Sequence, residues 1–114
     1  MVKNLIPARG DIIAFLFDPQ SGHEQKGWRP ALVLSNRTFN STTGLAIVCP
    51  ITSTNRGLRL HIQLPDNLVT HGVVMVDQVK SIDFRARKAK IIEQAPPEIV
   101  NESLSIFNAC VSDD

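Results

Sequence analysis

Short apolar runs separated by turn signals constrain the fold of this 114-residue chain more than any other feature. Clusters rich in Gly, Pro, Asn, Asp and Ser separate most of the runs, and none of the runs exceeds six residues. The runs occupy residues 12–17, 31–34, 45–49 and 73–76, and a last, shorter one at residues 89–92 is interrupted by Lys90. Apolar runs of this length between turn signals are typical of buried β-strands. In residues 58–64 apolar and polar side chains alternate, which predicts a further strand with one face in water.

The C-terminal part of the chain changes from this strand pattern to a helical one. Pro97 suits the first turn of a helix, and Glu98 complements the helix dipole there. Apolar side chains then recur at helical spacing at Val100, Leu104, Phe107 and Val111, with Ile99, Ile106 and Cys110 beside them. We therefore expect a single mainly β domain over residues 1–114, a small barrel or curled sheet with a C-terminal helix. Residues 36–44 are expected to be a polar segment with a turn at residues 40–44.

Composition and cysteine content narrow the class of protein. With 43% hydrophobic and 20% charged residues, the chain is globular rather than disordered. Residues 1–7 lack the apolar core of a signal peptide, and no apolar run approaches the ~20 residues of a membrane span. We therefore expect a cytoplasmic protein that makes no membrane contact. Cys49 and Cys110 are expected to be small buried side chains rather than a disulfide.

The sequence gives no sign of a metal site or of histidine catalysis. The acidic residues lack metal-ligand spacing, and C-x-x-C, P-loop and dinucleotide-binding patterns are absent, so we expect no metal and no cofactor. His23 lies in a loop, His61 on the wet face of its strand and His71 in a turn. Each is expected to be an ordinary surface imidazole.

The formal net charge of +1 conceals a segregation of charge along the chain. Residues 1–92 contain all twelve Lys and Arg but only six Asp and Glu, which leaves +6, whereas residues 93–114 contain five acids and no base. A basic body indicates a polyanionic partner. The alternative is that the acidic tail neutralises the body of its own chain, which also favours solubility.

Residues 22–35 contain the strongest candidate for a catalytic side chain. A polar loop leads through Trp28, Arg29 and Pro30 into an apolar run. Because Pro30 disfavours a helical conformation at Arg29, we expect this arginine at the mouth of a strand with its backbone restrained. A planar cation held there suits a phosphate or a transition-state oxyanion. The ordinary alternative is that Arg29 pairs with Glu24 across its own loop.

Polar and basic segments adjoin three of the predicted strands, and they converge on one surface if those strands are neighbours in one sheet. They offer cations for phosphates, hydroxyl groups, and carboxylate or amide groups for base edges. The candidates are Glu24, Gln25, Trp28, Arg29, Thr52, Ser53, Arg56, Asp77, Gln78, Lys80, Ser81, Arg85 and Arg87. Such a set suits metal-free phosphodiester transfer in RNA, in which the substrate's own 2′-hydroxyl attacks. Taken alone, Trp28 fits a packing residue as well as a base-stacking one, and residues 52–54 fit an ordinary polar turn.

Several of these segments together closely resemble the MazF/PemK toxin family. The segments are Gly10-Asp11-Ile12, Phe17-Asp18-Pro19, residues 22–35, Pro50-Ile51-Thr52 and residues 77–81, in register from about Arg9 to Lys90. Glu-Gln-x-Gly-x-Arg-Pro followed by an apolar strand is a specific signature. The resemblance implies a compact SH3-like barrel of the PemK/CcdB type that forms a homodimer.

The resemblance also implies an activity and partners. The protein would be the toxin of a type II toxin–antitoxin pair, a sequence-specific, metal-independent endoribonuclease that cleaves single-stranded RNA to a 2′,3′-cyclic phosphate and a 5′-hydroxyl. The family's catalytic Arg and Thr carry over onto Arg29 and Thr52. Glu24, Asp77 and Gln78 match positions along the RNA path. The expected partners are single-stranded RNA and an antitoxin whose acidic, flexible tail blocks that path.

Two other functions stay open on the sequence alone. A non-enzymatic toxin of the same fold binds DNA gyrase through its C-terminal helix and needs neither Arg29 nor Thr52. The acidic end of this chain, residues 111–114, offers no apolar anchor for that role. The other alternative is an RNA-binding barrel without catalysis. Incubation of single-stranded RNA with the protein and EDTA separates these functions, because only the endoribonuclease produces discrete fragments.

Overall fold

The computed structural model describes residues 5–17 and 27–113, which form one antiparallel sheet and two α-helices. Within these residues the strands are β1 (Asp11–Leu16), β2 (Trp28–Val33), β3 (Leu45–Thr52), β4 (His61–Gln63), β5 (Val73–Met75), β6 (Lys80–Asp83) and β7 (Lys90–Gln94). The α-helices are α1 (Arg37–Thr43) and α2 (Pro97–Val111), and a single turn of 3-10 helix covers Val76–Gln78. The predicted mainly β architecture with a C-terminal helix is confirmed.

The sheet is organised around β3. The strand order is β4-β5-β3-β2-β1-β7, every pair is antiparallel, and β6 pairs with the start of β3. Residues 45–48 of β3 lie against β6, residues 48–50 against β2 and residues 51–52 against β5. One strand therefore links the two parts of the sheet.

The central strands are buried on both faces, because successive side chains of a strand point to opposite sides and each side has its own apolar cluster. The cluster under α2 includes Ile12, Leu32, Cys49, Ile99 and Val100. The cluster around β6 includes Ile13, Ala31, Val48, Ile82 and Phe84. Burial on both faces explains why these strands are nearly continuous apolar runs in the sequence.

The prediction of a turn at residues 40–44 within a polar segment is wrong, because α1 occupies most of that segment. The side chain of Asn36 accepts a hydrogen bond of 2.8 Å from a backbone N–H of the first turn. Gly44, with φ +75°, ends the helix in the left-handed conformation. Caps of this kind satisfy the unpaired backbone groups at the two ends of a helix and stabilise it. A fully buried Asn40 then anchors the helix to the body.

The strand expected over residues 58–64 is shorter than predicted, because only its middle forms β4. Leu58 and Leu60 are 51% and 36% exposed and lie before the strand. Ile62 and Leu64 are buried, as the alternation predicts.

Helix α2 follows its predicted stripe only over its first turns. Ile99 and Val100 are buried, and Leu104 and Phe107 pack at the edge of the same cluster. The last turn lies past these contacts, so the expected burial of Cys110 is wrong and its thiol is exposed. Within the described chain, no helix combines the length and the apolar character that a membrane crossing requires.

Candidate functional site

The candidate site opens where β2 and β3 separate. Their pairing ends at Ala31 and Pro50, and neither Pro30 nor Pro50 has an N–H with which to extend the ladder. Beyond this point β2 stays on β1 and carries Arg29, whereas β3 moves to β5 and carries Thr52. The two prolines therefore place a gap between the Arg29 and Thr52 backbones.

This gap is a groove of about 360 Å³, which we call the Arg29 groove. Its polar lining consists of Arg29, Thr52, Gln78 and Lys80, and Phe15, Phe17, Pro30, Pro50, Ile51 and Met75 complete it. Two of the polar groups are cations, and none of the described lining residues is a carboxylate. The groove is therefore suited to an anion.

Phe17 lies between the two cations of the Arg29 groove. The ammonium of Lys80 is 5.1 Å from the centre of the Phe17 ring, and the guanidinium carbon of Arg29 is 5.6 Å from it. Lys80 is also 5.5 Å from the ring of Phe15. These cation–π contacts hold two like charges close together. The Phe17 ring is 56% exposed, which leaves part of it open to a ligand.

Thr52 lies on the opposite wall, and its hydroxyl is oriented from its own chain. The hydroxyl oxygen accepts a hydrogen bond of 3.3 Å from the N–H of Thr54, so its O–H can donate elsewhere. Gly72 lies directly behind the Thr52 carbonyl with φ +123°. A Cβ at residue 72 would be 2.0 Å from the Thr52 oxygen, so this approach of the two backbones requires glycine.

The loop that ends at Gly72 is held by Glu93 of β7. The two oxygens of the carboxylate accept hydrogen bonds of 3.0 Å from the N–H of Val69 and 2.7 Å from the N–H of Thr70. Partial burial acts to raise the pKa of Glu93, but these hydrogen bonds and the nearby His71 outweigh it and lower the pKa below its ordinary value. The ionised form of Glu93 therefore supports the loop behind Thr52.

A second cavity, of about 300 Å³, adjoins the Arg29 groove, and we call it the His61 cavity. It shares Thr52, Met75 and Gln78 with the groove, and Thr54, Arg56, Leu58, His61 and Asp77 complete its lining. Its outer wall is the loop between β3 and β4. Asn55 of that loop donates a hydrogen bond of 2.8 Å to Gln63 and accepts one of 2.8 Å from the N–H of Gly57, which fixes the loop against β4.

His61 is not the surface imidazole that the sequence pattern predicts. Its side chain is only 6% exposed, because Asp77 and the loop before β4 lie against it. Its Nε2 is 3.0 Å from Oδ1 of Asp77, whereas its buried Nδ1 has no hydrogen-bond partner among the described residues. Sequence reasoning missed this pair, because its two members are sixteen positions apart and belong to different elements.

The model of the family described as PemK-like, MazF-like toxins of type II toxin–antitoxin systems matches residues 8–109. The chain belongs to this PemK/MazF family. It is 45% identical to the endoribonuclease toxin ChpB of Escherichia coli K12, over 97% of this chain and 99% of the relative. It is 41% identical to the endoribonuclease toxin MazF of the same strain, over 86% and 87% of the two chains. A MazE–MazF structure from Deinococcus radiodurans superimposes with a TM-score of 0.86 at 32% identity, over 97% of this chain and 100% of that chain.

In this member of the PemK/MazF family, the fold brings together six of the predicted site residues. Arg29, Thr52, Gln78 and Lys80 line the Arg29 groove, and Thr52, Arg56, Asp77 and Gln78 line the His61 cavity. Glu24 and Gln25 lie outside the described residues, as does the alternative pairing of Arg29 with Glu24. Phe17 and His61 join the site without having been predicted for it. Phe17 is the last residue of an apolar run next to a basic loop, and that position is the signal that could have identified it.

The other predicted residues line neither of these two cavities. Ser53 and Ser81 are exposed on their strand ends. Trp28 packs against Lys90, whose ammonium is 4.5 Å from the indole ring. Arg85 lies over the ring of Phe84 at 5.1 Å.

Arg87 has a structural contact rather than a place in the groove. Its Nη1 donates hydrogen bonds to the carbonyls of Leu16, at 3.2 Å, and Phe17. Its own carbonyl accepts a hydrogen bond of 2.9 Å from the N–H of Leu16. Arg87 thus fixes the end of β1 from which the Phe17 ring extends.

The described residues offer neither a reactive thiol at Cys49 nor a metal-binding cluster. Burial, with a smaller contribution from the Asp77 carboxylate, raises the pKa of the Cys49 thiol to about 12, so this group stays protonated. No set of three His, Cys, Asp or Glu side chains in residues 5–17 and 27–113 is placed to hold a metal ion.

Proposed function

We propose that this chain is the endoribonuclease toxin of a type II toxin–antitoxin pair and that it cleaves single-stranded RNA at specific sequences. The Arg29 groove carries the proposal, because a cation on one strand and a hydroxyl on the next face one gap beside a second cation. Two relatives named endoribonuclease toxins match most or nearly all of the chain, which supports the same activity.

In the proposed reaction the 2′-hydroxyl oxygen of the substrate bonds to the adjacent phosphorus, and the bond from phosphorus to the 5′ oxygen breaks. The 2′ proton passes to a base and the departing 5′ oxygen gains a proton. The products are a 2′,3′-cyclic phosphate and a 5′-hydroxyl, without a metal ion. The non-bridging oxygens gain negative charge in the transition state, so cations and hydrogen-bond donors placed there accelerate the reaction.

The residues of the Arg29 groove suit this demand. Arg29 stays charged and would stabilise the pentavalent phosphorus rather than remove a proton. Thr52 would donate its O–H to a non-bridging oxygen. Lys80 would hold the neighbouring phosphate, and the exposed face of Phe17 would stack against a base.

The partners follow from the same surface. A flexible acidic segment of an antitoxin would bind the cations of the groove and exclude RNA, because residues 1–92 carry a net charge of +6. The family name pairs the toxin with an antitoxin, which supports this partner. A homodimer located in the cytoplasm, with residues 1–114 as one domain, completes the proposal.

The test is cleavage of a long single-stranded RNA in EDTA, with the fragment ends analysed. We expect discrete fragments from the unaltered protein, and none from RNA carrying 2′-methoxy groups. Arg29→Ala should lose ~10²-fold or more in rate while RNA binding persists, since its role is in the transition state. Thr52→Val should lose rate with a smaller change in binding. Arg37→Ala is the matched control and should cleave normally. Arg37 lies at the start of α1, which precedes the Leu45 end of β3, whereas Thr52 lies at the other end of that strand.

Three results would contradict the proposal. Wild-type turnover by a folded Arg29→Ala protein would remove the central residue. Cleavage of 2′-methoxy RNA at a normal rate would mean that water, not the 2′-hydroxyl, attacks. A gel shift without cleavage would mean that the protein is an RNA-binding barrel without catalysis.

A further inference from the structure

The His61 cavity and the Arg29 groove share a wall but differ in charge. The groove contains two cations and, in its described lining, no acid, whereas the cavity contains one cation, Arg56, and one carboxylate, Asp77, whose formal charges cancel. A phosphate is therefore attracted to the groove more strongly than to the cavity. A nucleobase, which is uncharged and carries N–H donors, has the opposite preference.

We propose that the His61 cavity is a nucleobase subsite, and that His61 is a positioning residue that orients Asp77 to accept hydrogen bonds from the base. The proposal rests on the proposed RNA cleavage, because it names how one base beside the cut is selected. Thr52 belongs to both linings, so a base in the cavity and a phosphate in the groove would be neighbours along one strand.

The hydrogen bond between His61 and Asp77 has a definite direction. A carboxylate only accepts, so Nε2 of His61 donates to Oδ1 of Asp77 across 3.0 Å. In the neutral ring Nδ1 is then an acceptor, and it is buried without a partner among the described residues. A buried polar atom left unpaired lowers stability, and an apolar side chain of similar size would avoid that loss. The contact with Asp77 is the physical reason for a histidine at this position.

Asp77 keeps the capacity to bind a ligand. Its side chain is 33% exposed, and an ionised carboxylate has about four acceptor positions. His61 occupies one of them, and the Nε2 of Gln78 lies 3.4 Å from the other oxygen. The 3-10 turn that carries Asp77 is fixed by the buried Val76. The N–H of Val76 donates a hydrogen bond of 3.1 Å to the Leu60 carbonyl. The carboxylate is therefore a preorganised acceptor at the wall of an open cavity.

The remaining lining suits the faces of a flat ring. Leu58, which is 51% exposed, and Met75 supply apolar surface, as stacked bases require in single-strand recognition. The cavity volume of about 300 Å³ is at the lower end of small-molecule sites, typically ~300–1,000 Å³. A cavity of this size suits one base and not an extended ligand.

The acceptor at Asp77 selects among the four bases. Adenine, cytosine and guanine present an exocyclic amino group that donates to a carboxylate. Uracil presents a single N–H between two carbonyl oxygens, which the carboxylate repels. We therefore expect the subsite to exclude uracil, and an amide in place of the carboxylate to admit it.

The experiment is digestion of a randomised single-stranded RNA, followed by sequencing of the cut ends. In the unaltered protein one position beside the cut should be depleted of uracil. Asp77→Asn should raise uracil at that position about tenfold, in the range of one hydrogen-bonded base contact. His61→Leu should weaken the depletion and raise KM more than it lowers kcat. His61→Gln, whose side-chain N–H can still reach Asp77, should restore the depletion. Arg37→Ala, the control used for cleavage, should have no effect on the profile.

The outcomes separate this proposal from the proposed function. If the unaltered protein cuts no RNA, the endoribonuclease assignment fails. If it cuts RNA but no position excludes uracil, or Asp77→Asn leaves the profile unchanged, the subsite is wrong while the endoribonuclease stands. If His61→Leu and Arg37→Ala give the same profile and KM, His61 does not position Asp77.

Discussion

The position of Thr52 depends on the absence of a side chain at residue 72, and Gly72→Ala tests that dependence. A Cβ there would lie 2.0 Å from the Thr52 oxygen, 2.8 Å from its carbonyl carbon and 3.0 Å from Cα of Ser53, whereas ordinary contacts begin at 3.4 Å. To reach 3.4 Å from 2.0 Å, the two backbones would have to separate by more than 1 Å. The φ of +123° adds backbone strain of roughly 1–3 kcal/mol for any L side chain. Together these effects should lower Tm by roughly 10 °C.

The same displacement should be measurable in catalysis. A shift of about 1 Å in a positioned group costs ~10²-fold in rate, so Gly72→Ala should cleave ~10²-fold more slowly. The assay is single-turnover cleavage at a temperature where thermal unfolding shows the variant to be folded. Gly44→Ala is the matched control, because Gly44 also has positive φ, +75°, but nothing lies within 4 Å of its Cβ position. It should lose stability by about 1 kcal/mol and cleave normally.

Two results would refute this reasoning. A folded Gly72→Ala protein with wild-type turnover would show that the Thr52 hydroxyl does not need this backbone position. Equal losses of turnover in Gly72→Ala and Gly44→Ala would show that the effect is one of general stability.

The loop contact of Glu93 and the two arginines after β6 make separable predictions. Because the folded pKa of Glu93 is lowered, its contribution is present above the unfolded pKa and is lost as pH falls through the folded value. Glu93→Gln should therefore destabilise the protein at neutral pH by less than about 1 kcal/mol, given solvent screening, and the stabilities of the two proteins should converge in acid, below the lowered pKa of Glu93. Arg87→Ala should lower Tm and RNA affinity together, because it frees the end of β1. Arg85→Ala should weaken RNA binding modestly and reduce its salt dependence, measured by titration at several salt concentrations, without lowering Tm; a fall in Tm equal to that of Arg87→Ala would contradict the distinction.

The strands and the Arg29 wall of the site could be predicted from local signals. An apolar run bounded by turn residues forms a strand in almost any context that buries it, and a proline fixes where a ladder stops. Pro30 and Pro50 are visible in the sequence, and Pro30 alone is enough to predict that the backbone of Arg29 is restrained. The pairing partner of each strand was not visible, and it was the pairing of β3 with both β2 and β5 that decided which polar segments met.

The failed predictions depend mainly on which side chains distant parts of the chain bury and which they leave exposed. Helix α1 is polar in composition, and its stability depends on its caps and on the buried Asn40. The side-chain amide of Asn40 donates a hydrogen bond of 2.7 Å to the Pro7 carbonyl. Cys110 continues an apolar stripe, but the sheet that buries the start of α2 does not extend to its last turn. Alternation in β4 correctly predicted a polar face at His61, yet the 3-10 turn and the preceding loop cover that face.

The arrangement around Thr52 separates two demands that an RNA-cleaving site must meet. Stabilising a developing phosphorane requires concentrated positive charge. Recognising a base that carries an amino group requires a hydrogen-bond acceptor such as a carboxylate. A carboxylate placed among the cations would weaken the stabilisation of the phosphorane. The divergence of β2 and β3 provides the cationic groove, and the 3-10 turn after β5 places Asp77 in the neighbouring cavity, against His61. Substitutions in the groove should therefore act mainly on kcat, and substitutions in the cavity mainly on which sequences are cut. Thr52, Met75 and Gln78 belong to both linings, so only there should a single substitution change rate and specificity together.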